Sequence, residues 1–110
     1  MTNRTQEQYI KSTYAHMRRR VEGSESGVHE NYIGLEICDR DEFIQWALFD
    51  DAFHGIWDEW EATDFTDAKL GPSIDRIDPT LGYTFDNMQW KTRSMNSKRA
   101  RYANVHGWDM

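Results

Sequence analysis

Residues 72–92 carry the pattern that most restricts what this chain can fold into: PSIDRIDPTLGYTFDNMQWKT. A short strand beginning at Pro72 runs into a turn containing Asp78-Pro79-Thr80-Leu81-Gly82. A second short strand, Asn87 to Thr92, follows. Asp before Pro-Thr-Leu-Gly initiates a turn well, which assigns Asp78 to the turn. Gly82 is expected to supply a positive φ angle there. Beyond the second strand, Ser94 to Ala103 (SMNSKRARYA) reads as a basic helix. The last forty residues are therefore strand, glycine turn, strand, helix. Asp75 is the misfit, because strands disfavour Asp that has no partner.

Helical periodicity dominates upstream. Ile10, Tyr14, Met17 and Val21 form one stripe, which predicts a helix over 5–21 with Thr5 as its cap. GSESG at 23–27 is a loop by composition. Ile33, Leu35 and Ile37 alternate between Tyr32 and Cys38, so an extended strand is expected there. Asp39 with Glu42 imitates a capping box, and Phe43, Ile44, Ala47 and Leu48 form the inner face of the helix that follows. A further helix over roughly 50–62 carries Phe53, Ile56, Trp57 and Trp60 on one face and acids on the other. That aromatic stripe is read as core. The expected fold is a small single α+β domain: a helical region over 1–69 packed on a ββα unit over 70–103.

Five Trp, five Tyr and five Phe among 110 residues make such a core feasible. No run of eighteen apolar residues occurs, and the N-terminus lacks a signal peptide's apolar stretch, so a cytoplasmic protein with no membrane partner is expected. Cys38 is the sole cysteine, which excludes an internal disulfide and a cysteine-based zinc knuckle. Net charge is −6, which alone argues against a nucleic-acid partner. Its distribution argues otherwise: Arg4, Lys11, Arg18, Arg19 and Arg20 crowd one end, and Lys91, Arg93, Lys98, Arg99 and Arg101 the other. Local field steers a polyanion, so the two ends could form one patch. Charge alone favours the plainer reading, that these are solvated helix faces, with Arg18–Arg20 suiting a helix C-terminus. The acidic middle permits a basic protein partner.

A hairpin followed by a helix packed across it can bring Asp75 and Asn96 together. A carboxylate and an amide oxygen suit a hard divalent cation, Mg²⁺ or Mn²⁺. The competing reading makes Asn96 a helix cap. Lys91, Arg93, Lys98, Arg99 and Arg101 would then lie where a nucleic-acid backbone could be held.

This arrangement resembles the His-Me finger, or HNH, nucleases, whose ββα unit holds one metal. IDRIDP is similar to the family's "DHIxP" segment, and DNMQWKTRSMN to its "N-x8-H/N" segment, with Asn87 and Asn96 nine apart. The likeness covers about residues 70–101, and SIDRID…GYT…DN.QW…N also resembles small HNH-type proteins common in bacteriophages. It implies a metal-dependent DNA endonuclease, with Asp75 and Asn96 as metal ligands and Asn87 pinning the loop. Structural zinc is not expected, because Thr92 and Met95 stand where some relatives carry cysteines.

Arg76 falls where the family places its catalytic histidine. Arginine stays protonated and cannot take a proton from water near neutrality. Three readings of Arg76 stay open. It clamps a phosphate while His54, His106, Tyr83 or the metal itself activates water. Or the chain has lost cleavage and is an HNH-like nucleic-acid-binding or protein-interaction module. Or Arg76 forms a structural ion pair with Asp75 or Asp78.

Overall fold

The computed structural model describes residues 5–23 and 32–96. It contains helices α1 (Gln6–Glu22), α2 (Arg40–Leu48) and α3 (Asp51–Ala62), a 3-10 turn at Ala68–Leu70, and strands β1 (Pro72–Arg76) and β2 (Met88–Thr92). The two strands pair as an antiparallel sheet, so the chain is a small α+β protein. Contacts group it into two units, Met1–Asp50 with Arg76–Gln89 and Asp51–Asp75 with Trp90–Met110.

The first unit is built on α1. Thr5 caps it reciprocally: its hydroxyl accepts the Gln8 N–H at 3.1 Å, and Gln8 Oε1 accepts the Thr5 N–H at 3.2 Å. Gly23 ends it at φ 75°, a conformation glycine adopts without a Cβ clash. Tyr9 joins Ile10, Tyr14, Met17 and Val21 as the buried stripe. Asp39 caps α2 by accepting the N–H groups of Asp41 and Glu42. The Tyr14 ring packs on Phe43 at 5.5 Å, and Trp46 links Phe43 to Phe85. The Tyr14 hydroxyl donates to the Cys38 carbonyl at 2.6 Å.

The segment 32–38 is not the strand its alternation suggests. It opens in a turn, and Gly34 takes φ 82° while donating its N–H to Val21 O. Only Ile37 makes a β-bridge, to Tyr83. A left-handed glycine in mid-segment breaks the pleat, so Ile33 is left exposed. The bridge also corrects the expectation for Gly82, whose φ is not positive. Tyr83 N–H donates to Glu36 O at 2.7 Å, and Cys38 N–H to Tyr83 O at 2.8 Å. The two backbones lie so close that a Cβ on Gly82 would collide with the Glu36 carbonyl. Glycine is needed here for close approach rather than for an unusual dihedral.

The second unit is built on α3, whose buried face is Phe53, Trp57 and Trp60. Asp64 and Phe65 both take left-handed backbone, φ 58° and 59°. That is costly for a bulky residue. It returns the Phe65 ring onto Trp60 at 4.9 Å and Trp57 at 5.3 Å, edge-on in both cases, and such packing offsets the strain. Trp90 of β2 packs against Phe53, the rings tilted with their centres 4.8 Å apart. Thr92 then caps the turn of helix at 93–96, its hydroxyl accepting the Met95 N–H. The remainder of the expected basic helix, with Lys98, Arg99 and Arg101, lies outside the described residues.

Candidate functional site

Asp75 is buried in β1, with 8% of its surface exposed. Successive strand residues face opposite sides, so Ser73 and Asp75 share a face. Asn96 reaches that face. Its amide nitrogen donates to Ser73 Oγ at 2.8 Å and approaches the Ile74 carbonyl at 3.4 Å. With its nitrogen held by the strand, the side chain keeps Oδ1 to present elsewhere. Asn96 does not cap the helix, since Thr92 fills that role. The Asn96 amide is thus held on β1 at Ser73, two residues before Asp75. Among the described residues no three His, Cys, Asp or Glu side chains cluster as metal ligands. The candidate donor set is instead one carboxylate and one amide.

Asn87, 4% exposed, organises the loop of the first unit. Its Oδ1 accepts the Asp78 N–H at 2.8 Å, and its Nδ2 donates to Asp78 O at 3.1 Å and Gly82 O at 2.9 Å. Its backbone carbonyl accepts the Ile77 N–H. One side chain thus fastens both ends of the 78–82 turn. Asp78 completes that turn: its Oδ1 accepts the N–H and the hydroxyl of Thr80, which hold its carboxyl below the usual range.

Arg76 makes neither of the ion pairs considered for it. Nη1 donates to Leu81 O at 2.9 Å, and the guanidinium carbon lies 4.3 Å from the centre of the Tyr32 ring and 5.6 Å from that of Tyr83. Tyr83 is withdrawn as a base for water: burial pushes its phenol above the usual tyrosine range, against smaller opposing effects of Arg20 and Arg76. A phenol that stays protonated is a donor at neutral pH. His54 lies half-buried on α3, edge-on to Phe53 at 5.5 Å. His106 falls outside the described residues.

Of the expected backbone-contacting cations, Lys91 and Arg93 are described. Lys91 is half-buried on β2, and Arg93 is exposed at the first position of the following helical turn. The Arg93 N–H donates to Gly71 O at 3.0 Å, with its side chain lying over Gly71.

Tyr32, which sequence reasoning did not single out, lies near two cations, Arg20 and Arg76. Arg20 Nη1 lies 3.5 Å from the Tyr83 hydroxyl, and its guanidinium carbon lies 5.9 Å from the centre of the Tyr32 ring that also carries Arg76. Periodicity placed Arg20 at the end of a helix but held no signal for its direction.

No protein-family model, curated protein or solved structure matches this chain.

Proposed function

We propose that the chain is a metal-dependent DNA endonuclease of the HNH type, with Asp75 and Asn96 holding a divalent cation. One contact supports the reading above all others: the Asn96 amide nitrogen on Ser73 Oγ, on the strand face that Ser73 shares with Asp75. The donor set fits the group. A carboxylate and an amide carbonyl are hard oxygen ligands of the kind Mg²⁺ and Mn²⁺ accept, and two protein ligands leave positions for water and a phosphate oxygen. Such a cation, when bound, polarises a phosphoryl oxygen, stabilises the leaving 3′ oxygen and acidifies water.

The chain's own residues supply the rest. Burial holds the Asp75 carboxylate in place. Ser73 and the Ile74 carbonyl orient the Asn96 amide. Asn87 stiffens the 78–82 turn. Arg76 donates to phosphate oxygens, a task its planar fork suits and proton abstraction does not. His54 is the described side chain left to accept a proton from water. Lys91 and Arg93, with Lys98, Arg99 and Arg101, track the nucleic-acid backbone. Action in the cytoplasm of a bacteriophage's host follows from the resemblance.

Arg76 also favours a second reading. At the position that the resemblance gives to the general base stands a cation tied to Leu81 O and stacked on Tyr32. A chain with that substitution serves well as a silent module that binds nucleic acid or a protein.

Incubation with supercoiled plasmid and Mg²⁺ or Mn²⁺ separates the two. The endonuclease nicks the plasmid, and Asp75→Ala and Asn96→Ala each abolish nicking. DNA binding without nicking selects the silent module. Nicking that survives Asp75→Ala refutes the assigned metal pair.

A further inference from the structure

We propose that the flank of α2 carrying Glu42, Trp46 and Phe49, with Phe85 beside it, docks a basic segment of a partner protein. The surface goes beyond the proposed function, because it requires neither cleavage nor DNA.

Glu42, Trp46 and Phe49 are spaced by four and three residues, so they form one stripe along the helix. That stripe runs beside the buried face of Phe43, Ile44 and Ala47 and is not part of it. Trp46 is half-buried between Phe43 and Phe85, with ring centres 5.7 and 5.8 Å away. Phe85 thus widens the stripe from outside the helix. Two of these rings are left to solvent: Phe49 is 82% exposed and Phe85 38%. Phe49 closes α2 through its backbone N–H, on the carbonyls of Gln45 and Ala47, a task that needs no aromatic side chain. A ring so exposed forgoes most of the free energy that burial would supply. The fold of this unit therefore leaves the Phe49 ring unexplained, and a partner that covers it explains it.

Charge selects the occupant. Glu42 lies on the stripe and Asp86 adjoins Phe85, and both are exposed. Among the described residues neither forms an ion pair. Asp86 Oδ1 accepts the Thr84 hydroxyl at 2.6 Å, a contact that leaves its charge in place. Arg40, the cation of α2, pairs with Asp41 at 3.5 Å. Two residues before Glu42, it projects from the opposite side of the helix. Exposed rings suit stacked bases too, but carboxylates beside them repel phosphate, and they repel an anionic lipid surface equally. Aromatic faces attract cations on their own account. Arginine and lysine satisfy both features at once, since their stems pack on rings while their heads reach carboxylates.

The test is fluorescence anisotropy of a labelled peptide of alternating arginine and leucine, titrated with the full chain. Saturable binding that weakens with salt is expected, and none for the same peptide with glutamate in place of arginine. Phe49→Ser and Phe85→Ser should each weaken binding about fivefold or more. Glu42→Gln combined with Asp86→Asn should slow association and flatten the salt dependence. Asp58→Asn combined with Glu59→Gln, which removes two exposed acids of α3, should change neither. Near-ultraviolet circular dichroism checks that each variant is folded, and Phe49→Ser is the decisive one because its ring is the most exposed. Absence of peptide binding overturns the proposal, as does an affinity unchanged in Phe49→Ser. An equal loss in the α3 variant overturns it by showing general attraction to an acidic chain. Single-stranded DNA binding that Phe49→Ser abolishes overturns it in favour of base stacking. A dimer in sedimentation that Phe49→Ser dissolves gives the face to a second copy of the chain instead. Peptide binding that needs Phe49 in a chain that never nicks plasmid leaves this surface standing and refutes the endonuclease.

Discussion

Asn87→Ala should be the most damaging polar substitution in the first unit. It removes three hydrogen bonds from a side chain that is 4% exposed. The bond to Gly82 O is fully buried, and its loss strands a carbonyl with no solvent to replace the donor. Such a group costs about 1–3 kcal/mol. The two bonds to Asp78 are part-buried and recover some water, so about 0.5–1 kcal/mol each is appropriate. The sum is about 2–5 kcal/mol, a large share of the roughly 5–15 kcal/mol that holds a domain folded. Urea unfolding followed by tryptophan fluorescence reads it as a lower midpoint at unchanged m-value. Asn87→Asp supplies a control. A carboxylate can accept from the Asp78 N–H but cannot donate to the two carbonyls, so it should be no more stable than Asn87→Ala. A loss below about 1 kcal/mol for Asn87→Ala refutes the claim that this side chain holds the turn. An Asn87→Asp variant as stable as the parent refutes the assigned amide orientation.

Three further outcomes follow from the geometry. Gly82→Ala should destabilise by about 3 kcal/mol or more, because its Cβ meets the Glu36 backbone and overpacking forces that bridge apart; a thermal midpoint within a degree of the parent's would contradict the close approach. Burial, reinforced by the nearby Glu42 and Asp39 charges, pushes the Cys38 thiol up to about 11. The thiolate is the reactive species, so labelling by a disulfide reagent at pH 7.5 should run roughly ten- to a hundredfold slower than in the urea-unfolded chain and rise steadily toward pH 10; equal rates in folded and unfolded chain would overturn it. Asp39→Ala should lower stability by about 1 kcal/mol through loss of the α2 cap, measured by the same urea titration, and a midpoint unchanged by the substitution would show the cap to be idle.

Local rules made several elements legible. Thr5 and its stripe marked α1 because capping chemistry and a 3.6-residue period act within one helix. Asp39, the aromatic face of α3, both strands and the Asp78 turn were readable on the same ground, since each depends on neighbours in sequence. Alternation failed at 32–38, where Gly34 and the Val21 carbonyl overrode the period. The role of Gly82 was misread because its constraint comes from Glu36, a partner remote along the chain.

Outside 32–38, the chain's local patterns determined which of the described segments become helix, strand and turn, and which of them bear a carboxylate, an amide or a cation. Tertiary structure alone decided which of those side chains meet. It sent Asn96 to Ser73 rather than to the helix end, and Arg76 to Tyr32 and Leu81 rather than to an aspartate. It also set Arg20 beside the same ring. The reason is physical: propensity and capping energies reach only a turn or so along the chain, whereas packing distant segments together fixes where long side chains can point.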